Sequence, residues 1–138
     1  MGVKVRELTG DMSLTKQEIT ETHILVATPE KWDVVTRKTD GVMDLVTCLI
    51  IDEIHLLNDK RGLVLECLVS RAITTGLKMQ KPIRLCGLSA TLPNYHDVAD
   101  FIQASEASTF AFDSSYRPTP LKCGFYGIKE MGNVDRGN

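Results

Sequence analysis

No apolar run in this 138-residue sequence approaches the length needed to cross a bilayer, and no surplus of one charge marks it for a highly charged partner. Its 16 Lys and Arg stand against 18 Asp and Glu, a formal charge of -2, so any attraction to a polyanion has to be local. The four cysteines, Cys48, Cys67, Cys86 and Cys123, are far apart and include no C-x-x-C pair, which argues against zinc; no intrachain disulfide is expected either. Cys48 and Cys86 lie inside apolar runs and are expected to be buried thiols, small hydrophobes in a reducing compartment. Met1-Gly2-Val3-Lys4 lacks the apolar stretch of a secretory signal, so an intracellular chain with no membrane partner is expected. Arg6 stands where a myristoylation signal needs Ser or Thr.

What is present reads as one globular domain: 43% hydrophobic and 25% charged residues suffice for a single core and are too rich in apolar side chains for disorder. Short apolar runs alternate with segments of helical period, the pattern of repeated β-α units on a mainly parallel sheet. Strands are expected near 3–8, 23–28, 47–52, 83–89 and 108–112, and helices near 15–21, 30–37, 61–75 and 94–103. The runs Cys48 to Ile51 and Leu85 to Leu88 are almost continuously apolar, which predicts central strands covered on both faces. From Arg61 onward, Leu65, Leu68, Val69, Ala72 and Ile73 form one stripe, leaving Glu66, Ser70 and Arg71 off it. Thr15 and Glu18 have the spacing of a capping box, and Asn94 is placed to cap the last helix. The glycine-containing tail, residues 130–138, has no periodicity and is expected to be flexible.

The chemistry concentrates where the apolar strand Leu49-Ile50-Ile51 runs into Asp52-Glu53-Ile54-His55. Ligands of open parallel sheets bind at the carboxyl ends of strands, so both carboxylates emerge where a nucleotide would lie. Adjacent carboxylates can divide phosphoanhydride hydrolysis between them, Asp52 holding hydrated magnesium and Glu53 orienting and deprotonating water. A bare Asp-Glu pair would simply solvate a turn; this one has company. The next strand ends in Ser89-Ala90-Thr91-Leu92-Pro93-Asn94, whose hydroxyls can exchange hydrogen bonds with His55 and the carboxylates. A third strand leads into Thr28-Pro29-Glu30-Lys31-Trp32, with Pro suited to a first helical turn and amides able to hold a phosphate. Trp32 can equally be a core residue of a capped helix, and Thr9-Gly10-Asp11 either a phosphate-facing loop or an ordinary turn.

Taken in order, Thr9-Gly10-Asp11, Thr28-Pro29-Glu30-Lys31-Trp32-Asp33, Asp52-Glu53-Ile54-His55 and Ser89-Ala90-Thr91-Leu92-Pro93-Asn94 resemble the superfamily 2 DExH helicases. Within them they are most similar to the superkiller-like branch and its tandem-cassette helicases of the spliceosome and of the activating signal cointegrator complex. Leu56 to Gly62 and Tyr116 to Leu121 share the likeness, which covers residues 3 to about 129. The resemblance implies the three-layer RecA-like (P-loop NTPase) α/β fold, with residues 1–129 forming the C-terminal two-thirds of a first RecA-like domain. It implies ATP and Mg2+ as cofactors and RNA or DNA as partner. By it Asp52 coordinates magnesium through water, Glu53 is the catalytic base, and His55, Ser89 and Thr91 couple the ATP state to nucleic-acid grip. Thr9, Gly10, Asp11, Thr28, Pro29 and Glu30 would contact the sugar-phosphate backbone. A nuclear setting is implied too.

The sequence departs from that pattern in two important respects. It contains no Gly-x-x-x-x-Gly-Lys-Ser/Thr loop, and no second RecA-like domain that would supply a transition-state arginine. Such helicases place the loop upstream, on a strand beside the one ending in Ser-Ala-Thr, so Ile83 to Leu88 is expected to lack one neighbour. Two functions follow: the motor part of an ATP-dependent helicase that works with its remainder, or a catalytically inactive half-domain that binds nucleic acid or a partner subunit. A transporter ATPase would share the strand-Asp-Glu element but does not require Thr-Pro-Glu-Lys-Trp or Ser-Ala-Thr.

Overall fold

The computed structural model describes residues 2–10 and 13–127. Asp11 and the tail 130–138 therefore lie outside the described residues. The chain runs β1 (Val5–Leu8), α1 (Lys16–Thr20), β2 (Ile24–Ala27), α2 (Pro29–Lys38), β3 (Cys48–Ile51), α3 (Gly62–Met79), β4 (Arg84–Gly87) and α4 (Tyr95–Phe101), with short 3-10 turns between. Strand pairs are parallel, as helical crossovers require: β1 with β2 in the register Leu8 to Ala27, and β3 with β4 in the register Ile51 to Gly87.

The four predicted helices and the first four predicted strands form, but not as one sheet. The described residues contain two separate two-stranded sheets. α3 joins them. Its Leu68 and Ala72 pack with Leu8, Ile19, Trp32, Val42 and Met43, while its Leu65 and Val69 pack with Ile51 and Ile54. The helical stripe read from the sequence is thus split between two cores, with Leu49 and Leu85 touching both.

Three expectations are corrected here. No strand forms at 108–112; that stretch is a 3-10 turn followed by irregular chain, with Phe110 and Phe112 mostly exposed. An alternating run cannot be a strand without a neighbour to take its N–H and C=O groups, and none of the described strand edges reaches it. Nor are the apolar strands covered on both faces: β3 shows Cys48 and Ile50 to solvent, with Ile50 63% exposed, and buries only Ile51 fully. The cysteines follow suit, since Cys48, Cys67 and Cys123 are exposed and Cys86 half-buried. Their apolar surroundings in sequence did not become apolar surroundings in space.

Local signals hold better. Thr15 and Glu18 form the complete capping box of α1, and Thr28 caps α2 ahead of Pro29. Asn94 precedes α4 as expected but makes no side-chain capping bond. No helix among the described residues is long and apolar enough to cross a membrane.

Candidate functional site

β3 delivers its last residue, Ile51, into the core, and the chain then turns outward so that Asp52 and Glu53 are both exposed at the carboxyl edge. Glu53 adopts φ 55 and ψ 40, the left-handed region that costs a side-chain-bearing residue about 1–2 kcal/mol. Its neighbours hold it there. The Glu53 N–H donates to Asp52 Oδ1 at 2.9 Å, and the N–H of Ile54, a residue only 1% exposed, donates to the Leu88 carbonyl at 2.9 Å. Leu88 N–H in turn donates to the Ile51 carbonyl at 2.9 Å, extending the β3–β4 ladder into the turn that carries the carboxylates. Strain held this way by packed neighbours is typical of functional turns.

His55 bridges the two strand ends. Its Nδ1 accepts the Ala90 N–H at 3.2 Å and lies 3.3 Å from Glu53 Oε2. In accepting from Ala90 this nitrogen carries no proton, so the ring's hydrogen is on Nε2 and the Glu53 contact is proximity rather than a simultaneous hydrogen bond. The Ser-Ala-Thr segment therefore meets His55 through a backbone amide. Its hydroxyls do otherwise: Ser89 donates to the Ala90 carbonyl at 2.8 Å, and Thr91 makes no side-chain hydrogen bond among the described residues. The direct hydroxyl links expected from the sequence are not formed.

The other motif residues gather at the carboxyl edge of the β1–β2 sheet. Because Leu8 is in register with Ala27, Thr9-Gly10 and Thr28-Pro29 leave the sheet side by side. Gly10 has φ 50, and the Lys31 ammonium donates to its carbonyl at 2.9 Å, tying the loop after β1 to the start of α2. Thr9 donates to Glu7 at 2.9 Å. Thr28 accepts the Lys31 N–H. Glu30 pairs with Arg61 at 3.4 Å, which connects this edge to the chain following Asp52-Glu53. Trp32 is a core residue, 8% exposed, and its ring Nε1 has no partner among the described residues.

Sequence reasoning did not single out Lys31, Arg61, Asp33 or Arg71 for a role. Lys31 and Asp33 stand within a motif already quoted, so their neighbours could have flagged them; Arg61 and Arg71 gain partners only through tertiary packing.

These two strand-edge clusters, one of paired carboxylates and one of loop and helix-start amides, sit in a chain whose residues 1–98 match the DEAD/DEAH box helicase family. The chain belongs to that family. Among its relatives it is 56% identical to activating signal cointegrator 1 complex subunit 3 of Dictyostelium discoideum over 97% of this chain and 6% of that protein. It is 53% identical to pre-mRNA-splicing factor brr2 of Schizosaccharomyces pombe over 93% of this chain and 6% of that protein. It is also 52% identical to the U5 small nuclear ribonucleoprotein 200 kDa helicase of Homo sapiens, over 98% and 6% respectively. The chain spans about 6% of the length of these relatives, and they fall in the subgroup that its motifs resemble.

Proposed function

We propose that this chain supplies the DExH and Ser-Ala-Thr part of an ATP-dependent helicase, coupling ATP hydrolysis to movement on RNA or DNA together with the remainder of that motor. The observation that carries this reading is the juncture at which Asp52 and Glu53 leave β3 while His55 grips Ala90 at the end of β4. Residues 1–129 would form the later part of a first RecA-like domain with its three-layer arrangement. By the names of its relatives, a nuclear setting is the one we assign.

The residues fit magnesium. Asp52 is exposed, one of its oxygens is oriented by the Glu53 amide, and Mg2+ keeps most of its waters while taking one or two carboxylates. When bound, the ion would neutralise charge on the phosphate oxygens. Asp52 would hold it through water. Glu53 orients the attacking water and accepts its proton. His55, with Ser89 and Thr91, reports the state of that site along the edge of β4. Thr9, Gly10 and Asp11, with Thr28, Pro29 and Glu30, track the sugar-phosphate backbone, the α2 amides facing phosphate oxygens.

The test is Glu53→Gln in the complete gene product. The amide keeps the shape but cannot accept a proton, so ATP turnover should fall to background while ATP still binds, measured by steady-state hydrolysis and by nucleotide binding. Wild-type kcat in that variant would remove Glu53 from its role.

A further inference from the structure

α3 packs beneath both clusters. Leu65 and Val69 lie against Ile51 and Ile54, which flank the carboxylates, and Leu68 and Ala72 lie against Leu8 and Trp32, which flank the loop after β1 and the first turn of α2. Apolar packing of this kind is non-directional. One polar arrangement on the same surface is directional. Asp33 is only 8% exposed, and Arg71 on α3 donates from Nη2 to Asp33 Oδ1 at 2.9 Å and from Nη1 to Thr36 Oγ1 at 2.6 Å. A planar guanidinium reaching two acceptors one helical turn apart fixes orientation as a single ammonium could not. Arg37 holds the other Asp33 oxygen, and Thr36 also donates to the Trp32 carbonyl at 2.9 Å. A second, exposed bridge, Glu30 to Arg61 at 3.4 Å, joins the start of α2 to the residue just before α3. Exposed pairs of that kind contribute little by themselves, so the part-buried Arg71–Asp33 pair dominates.

Building on the helicase reading, we infer that Asp33 and Arg71 are positioning residues that set α2 in register on α3 and so transmit the state of the Asp52-Glu53 turn to the nucleic-acid-facing start of α2. Asp33 lies within the first two turns of α2, so a change in how α3 presents Arg71 re-aims Thr28 to Lys31. The route runs through one continuous packed helix, separate from the His55–Ala90 contact at the strand ends.

The experiment uses the complete gene product and measures ATP turnover against the concentration of single-stranded oligouridylate and of oligodeoxythymidylate. Arg71→Met should raise the half-saturating concentration of the stimulating strand by about fivefold to a hundredfold, the ordinary range of coupling between sites, and leave turnover without nucleic acid unchanged. Arg71→Lys keeps the charge but not the fork and should fall in between. Because Arg71→Met removes one of the two guanidinium groups on the Asp33 carboxylate and leaves Arg37 alone on it, the paired replacement Asp33→Leu with Arg71→Met guards against misfolding; replacing both partners by apolar groups is often tolerated. It should melt like the unaltered protein and still show the raised half-saturation. An unchanged half-saturation in the paired variant would overturn the inference, as would loss of basal turnover without any shift in half-saturation. Absence of stimulation in the unaltered protein would instead overturn the helicase reading, and this inference with it.

Discussion

A methyl group at Gly62 would sit 1.9 Å from the Leu57 carbonyl oxygen, a backbone atom that cannot swing aside. Helix propensity favours Ala over Gly by about 1 kcal/mol, but a clash of this depth belongs at the upper end of overpacking, about 3 kcal/mol or more, so the clash should win. Gly62→Ala is therefore expected to lower the thermal midpoint, and a neutral or raised midpoint would mean that the turn after Asp52-Glu53 does not press on α3. The same scale explains what was legible in the site. The place of Asp52 and Glu53 at the exposed end of β3 could be read because carboxylates at the end of an apolar strand are chemically conspicuous. The grip of His55 on Ala90 could not, because its donor is a backbone amide that every residue but proline carries, and the eye goes instead to the hydroxyls of Ser89 and Thr91. Asp33 and Arg71 are 38 residues apart, and no local pattern pairs them.

Elements were legible where their signals are local. The capping box of α1 is an instance, and it has a measurable signature. The Thr15 backbone N–H and then its hydroxyl, each 2.9 Å from Glu18 Oε2, hold the Glu18 carboxyl below its ordinary 4.5. A depressed carboxylate adds stability that is present above its ordinary range and is lost as pH falls through the lowered value. Thr15→Val keeps the amide but removes the hydroxyl, so the Glu18 titration followed by NMR should move part of the way back toward 4.5; an unmoved midpoint would show that the hydroxyl does nothing. Asn94 offers the contrast. A working cap is worth about 1 kcal/mol, but Asn94 makes no capping bond, so Asn94→Ala should change the unfolding free energy by only about a few tenths, measured by denaturant titration. Strand pairing was less legible, because a strand needs a partner supplied by other parts of the chain. The run at 108–112 has the alternation of a strand, and its Phe110 and Phe112 instead stay mostly exposed.

At the scale of the whole molecule, the 138 residues carry the carboxylates without a loop whose amides and Lys would cradle the phosphates, and one transition-state arginine alone is worth about 10³–10⁵ in rate. The isolated chain should hydrolyse ATP no faster than buffer, with or without RNA or DNA, and stimulated turnover by it would contradict this. The same incompleteness bears on the fold. β4 has β3 on one side and no strand on the other among the described residues, and in Ile83 to Leu88 the only charge is Arg84. Natural edges are protected by charges, prolines or bulges, and an apolar run without them is a template for another chain. Leu88 is 51% exposed and Ile50, across the ladder, 63%, so apolar surface is open where the ladder ends. A buried backbone group left unpaired costs about 1–3 kcal/mol against a domain's margin of about 5–15 kcal/mol, so an edge that cannot pair within the chain gains by pairing outside it. The isolated chain is accordingly expected to self-associate or to be partly molten, with a light-scattering mass on size exclusion above that of one chain, or rapid amide exchange across residues 83–89. Adding a peptide strand that restores the missing neighbour should shift it toward a protected monomer. A monodisperse monomer already strongly protected across those residues, with no peptide added, would mean that the β4 edge is satisfied in some other way.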